Sequence, residues 1–87
     1  MGFKKIRGLA MSEERQGLIR YTCLTYRDQP AHTQNKIRRL CNEAGGAHAA
    51  AIWEVMCTKD AVAIIAARNH VSESVLYEGR RRFYESW

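Results

Sequence analysis

Apolar residues recur along this chain every three or four positions, and strict alternation is absent, so the pattern predicts helices throughout. A first helix is expected from about Ser12 to Arg27. Ser12 is its cap, Glu13 and Glu14 sit near its positive end, and Leu18, Ile19, Thr22, Cys23 and Tyr26 face inward. Asp28-Gln29-Pro30 breaks it. A second helix runs from about Ala31 or Thr33 to Ala44, burying Ile37, Leu40, Cys41 and Ala44, and Gly45-Gly46 ends it. A third spans about Ala47 to Cys57, with His48, Ala51, Ile52, Val55 and Met56 on one side. Thr58 reads as the cap of a fourth, Lys59 to Asn69, with Val62, Ile65 and Ala66 inward. His70-Val71 makes a turn, Ser72 caps a fifth helix, and Leu76, Gly79, Phe83 and Trp87 stack along its core side.

The expected fold is therefore all-α: a compact bundle of about five short helices. Residues 1–11 form a flexible basic arm, and 12–87 form one helical domain. Its end, about 59–87, has helix-turn-helix spacing. Ala66 stands where two helices approach closely. Val71, Ser72 and Leu76 occupy the apolar, capping and apolar positions that follow. His70 stands where glycine is usual, and Val75 where threonine is usual. The bland alternative is a helical hairpin that merely packs or binds protein.

Charge refines this picture. Of a formal net charge of +5, +3 comes from Lys4, Lys5 and Arg7 in the arm. The remaining body is mildly basic, while DNA affinity rests mainly on phosphate neutralisation. DNA binding would then depend on local clusters: Arg80, Arg81 and Arg82 on the fifth helix, with Arg68 and His70 at the end of the fourth. Glu73, Ser74, Tyr77 and Glu78 point outward near the start of the fifth helix. Ser74 and Tyr77 suit bases or phosphates, and Glu73 suits a cytosine amino group. Lys36, Arg38 and Arg39 make a second basic patch, or a solvated face.

Other chemistry is thin. Three cysteines with no secretion signal point to a reducing cytoplasm and free thiols, each on an apolar stripe. Cys41, His48, Cys57 and His70 match no standard zinc spacing, so no metal or cofactor is expected. No nucleophile elbow, Walker loop, acidic metal pair or HExxH motif is present, so an enzyme is not expected. No apolar segment approaches the roughly 20 residues that span a bilayer. Trp53 and Trp87 are hard to bury in so short a chain and read as a dimer or partner contact.

The residues Ile37-Arg38-Arg39-Leu40-Cys41, Gly45-Gly46, Ile65-Ala66 through Val71-Ser72, Leu76-Tyr77 and Arg81-Arg82-Phe83-Tyr84 resemble small phage and prophage transcriptional regulators. The last third is similar to the sigma-region-4-like helix-turn-helix of RinA- and ArpU-type phage activators. That resemblance implies a late-gene or packaging-gene regulator acting on phage double-stranded DNA. On the residues themselves, about 72–84 are expected to be the recognition helix, with a homodimer supplying the affinity that one weakly basic module lacks. The other expectation is a phage-encoded modulator or inhibitor of a host protein, such as RNA polymerase or a CRISPR nuclease. Its basis is the scattered acidic groups and exposed aromatics.

Overall fold

The computed structural model describes Ile6 and residues 9–87, which are helical with no strand among them. Helix α1 spans Glu13–Leu24. The Ser12 hydroxyl accepts from the Arg15 backbone N–H at 3.2 Å, and Glu13 and Glu14 occupy the first turn. The helix stops earlier than its periodicity suggests. The chain tightens into a 3₁₀ turn, Tyr26–Asp28, and the Gln34 side chain pins it by donating to the carbonyls of Tyr26 and Gln29.

Only part of the expected inner face of α1 is inward. Its buried residues are Gln16, Ile19 and Cys23, whereas Leu18 is 63% exposed. Gln16 is buried because it satisfies backbone: its side-chain oxygen accepts from Ile6 N–H at 2.8 Å and its amide donates to the Met11 carbonyl at 3.0 Å. Leu9 is buried and Ile6 and Met11 pack on the core. At these positions the segment read as a flexible arm is held to the body. Lys4, Lys5 and Arg7 lie outside the described residues.

Helix α2, Ala31–Gly45, buries Ile37, Leu40, Cys41 and Ala44, as its periodicity predicts. Gly46, at φ +53° and ψ −117°, takes a positive-φ backbone that a glycine adopts freely, and its N–H closes the helix on the Asn42 carbonyl. A 3₁₀ turn, Gly46–His48, then leads into α3, Ala49–Cys57, so His48 lies before α3 rather than on its face. Ala51, Ile52, Val55 and Met56 are buried. The Arg20 guanidinium reaches from α1 to the end of α3. It donates to the carbonyls of Val55, Met56 and Thr58 at 2.5, 2.7 and 3.0 Å. These are carbonyls a helix end leaves without partners.

Thr58 does not cap the next helix. Its hydroxyl donates back to the Glu54 carbonyl at 2.7 Å and closes α3 instead. Helix α4 consequently begins three residues later than expected, at Val62, and ends at Asn69. Helix α5, Glu73–Ser86, is capped by Ser72 and buries Leu76, Gly79, Phe83 and Tyr84. The core sits where α2 meets α3 and α5, with α4 packed on α3 and α5. The two tryptophans serve the fold. Trp53 meets Tyr26 edge-on at 5.4 Å, and Trp87 lies 5.9 Å from Phe83 with the Lys36 ammonium 4.2 Å over its ring. No helix among the described residues is long and apolar enough to cross a membrane.

Candidate nucleic-acid interface

The junction of α4 and α5 is a tight reversal built on one backbone feature. His70 has φ 56° and ψ 42°, the only non-glycine residue with positive φ among those described. Its N–H bonds the Ala67 carbonyl, and the Val71 N–H bonds Ala66, so the last carbonyls of α4 are satisfied. Ala66 is buried at the helix contact and Val71 is half-buried against the core. Ser72 then accepts from the Val75 N–H and restarts the helix.

This leaves Ser72, Glu73, Ser74, Tyr77 and Glu78 on the exposed side of α5, with Arg81 and Arg82 following. Ser72 and Ser74 share a hydroxyl contact of 3.1 Å. Arg80 is half-buried. Its guanidinium lies 5.1 Å from the Tyr77 ring centre, while its Nε is buried without a hydrogen-bond partner. Arg81 pairs with Glu85 at 3.4 Å and Arg82 with Glu78 at 3.6 Å, both exposed pairs one turn apart. Val75 is also exposed at the start of α5, and Ile64 on α4.

Arg68 faces elsewhere. Its guanidinium bonds Glu54 of α3 and, at 3.1 Å, Asp60 of the connecting segment. The hydrogen bond to Glu54 comes first, then that to Asp60, in raising its pKa above the ordinary arginine value. Asn69 also donates to Glu54, at 3.1 Å. Together they brace α4 against α3. Glu54 is the residue sequence reasoning missed, because no local signal marks a partner 14 residues away.

The second basic patch stays dispersed. Lys36 covers Trp87, Arg38 bonds the Asn35 side chain, and Arg39 pairs with Glu43 at 3.5 Å. The cysteines instead converge. The Cys23 thiol has its pKa driven upward, by hydrogen bonding with Cys57 first and burial second. Burial pushes Cys41 up to about 12. Among the described residues no group of three or more His, Cys, Asp or Glu side chains is placed to hold a metal ion.

No protein-family model matches this chain, and no curated protein or solved structure matches it either.

Proposed function

We propose that this chain is a DNA-binding transcriptional regulator of a phage or mobile element, acting in the cytoplasm, with residues 72–84 laid in the major groove. The observation that carries this reading is the left-handed His70. It joins α4, through buried Ala66, to a Ser72-capped α5 whose outer side bears hydroxyl, aromatic and guanidinium groups. Ser74 and Tyr77 meet base edges and sugar–phosphate, Glu73 accepts from a cytosine amino group, and Arg80, Arg81 and Arg82 hold phosphate. The ion pairs of Arg81 and Arg82 do not oppose this. Exposed pairs contribute only about 0–1 kcal/mol, so phosphate displaces the carboxylates readily. Arg68 is a brace for α4 rather than a phosphate ligand.

A second reading has its own support. Ile64, Val75 and Tyr77 are exposed around the same junction, and Glu73, Glu78 and Glu85 interrupt its positive charge. Such a surface suits a modulator that binds a host protein, RNA polymerase or a nuclease among them.

Salt separates the two. Binding to mixed-sequence duplex DNA through about six phosphates falls by roughly 1000-fold between about 50 and 200 mM salt. An aromatic-anchored protein interface changes little. Replacing Arg80, Arg81 and Arg82 with Ala lowers DNA affinity and flattens the salt slope, whereas Arg68→Ala leaves the slope unchanged. Absence of DNA binding at the lower salt would discard the regulator in favour of the protein-binding reading.

A further inference from the structure

Leu18 and Tyr21, 63% and 64% exposed, are the two most exposed large apolar side chains among the described residues. In helical register they lie on one stripe with Glu14 and Thr25, directly opposite the buried Gln16, Ile19 and Cys23. The side of α1 that meets the core is thus complete without them, and burial of the domain does not account for a leucine and a tyrosine one turn apart.

We infer that this stripe is a self-association surface, on which α1 of a second copy docks antiparallel about a twofold axis. Charge along the stripe favours a second copy in this orientation. Glu14 stands exposed on the stripe at the start of α1, with Glu13 and Arg15 flanking it to either side, and Arg27 stands exposed just beyond the helix end beside Asp28; neither Glu14 nor Arg27 has an ion-pair partner among the described residues. A parallel pairing would oppose the acidic ends. An antiparallel one seats Leu18 of each copy on Tyr21 of the other and brings each Glu14 within reach of the other copy's Arg27. Gly17, beside the stripe, adds no side chain to hold the helices apart. The contact is isologous, as twofold dimers require. One stripe of a 12-residue helix buries less than the ~1,000 Å² of a persistent interface, so association is weak and reversible. It does not depend on the DNA reading, since the surface is on α1 and the test contains no DNA.

The test is sedimentation equilibrium of the full chain over a concentration series. The weight-average mass climbs from monomer toward dimer. Leu18→Glu weakens the dimer at least about tenfold, as does Tyr21→Ser, about 1.4 kcal/mol or more. Both positions are exposed, so the variants keep the parent's circular dichroism and melting. Glu14→Arg and Arg27→Glu each weaken the dimer singly, and the double charge swap restores it. A parent that stays monomeric throughout overturns the proposal. So does a dimer indifferent to Leu18→Glu and Tyr21→Ser, or a charge swap that restores nothing.

Discussion

Gly79 of α5 lies so close to Ile52 of α3 that a Cβ there would come within 3.1 Å of the Ile52 Cγ1 and nearer still to its Cδ1. Ile52 is fully buried, and a Cβ at Gly45 of α2 would meet the same Cγ1 at 2.7 Å. Two glycines therefore receive one isoleucine where α2, α3 and α5 meet.

Adding a methyl at Gly79 tests that fit. Alanine favours a helix over glycine by about 1 kcal/mol. Overpacking a filled core costs about 1–3 kcal/mol. The clash wins, and Gly79→Ala lowers unfolding free energy by about 1 kcal/mol in a urea titration. Ile52→Val, which removes Cδ1, reverses the sign: in that background Gly79→Ala is stabilising.

The Arg20 guanidinium is worth more than an exposed arginine, because it satisfies three carbonyls at the end of α3. Arg20→Met keeps the stem and strands those carbonyls. It costs about 2–3 kcal/mol by chemical denaturation. Arg20→Lys recovers less than half of the loss, since an ammonium cannot span the planar fork.

His70 holds a backbone conformation that costs a residue with a Cβ about 1–2 kcal/mol. His70→Gly removes that cost and raises thermal stability, by about 1 kcal/mol after glycine's greater unfolded-state entropy is counted. His70→Val destabilises, since a β-branched residue tolerates positive φ poorly. DNA affinity that survives His70→Gly would assign the histidine to the turn rather than to phosphate contact.

Stability also falls in alkali. Cys41 is raised from 9.0 to about 12 and Tyr84 from 10.0 to about 12, burial being the first cause for each. Their unfolded forms therefore release protons first. The stabilisation they contribute is fully present below about pH 9 and is lost as pH rises through about 12. Melting temperature should decline across that window, and Cys41→Ala should make the slope shallower from about pH 9, Cys23 and Tyr84 supplying the remainder. A flat profile from pH 9 to 12 would refute the assignment.

Local pattern already contained much of the fold. The Ser12 and Ser72 caps, the apolar stripe of α2, the glycine stop at Gly46 and the turn at His70-Val71 were legible. Each depends on backbone hydrogen bonds and side-chain periodicity within four residues or so. Packing decided what lay beyond that reach. It turned Leu18 outward, filled the inner face of α1 with Gln16, and spent Arg68 on Glu54. It also sent Arg20 to the Thr58 carbonyl 38 residues away. Thr58 shows the boundary between the two. As a sequence signal it serves either the end of one helix or the start of the next, and its hydroxyl closed α3 by bonding Glu54. Periodicity states that a side chain shares a face with its neighbours. Which face the core covers, and which distant carbonyl or carboxylate a polar group meets there, follows only when the helices come together.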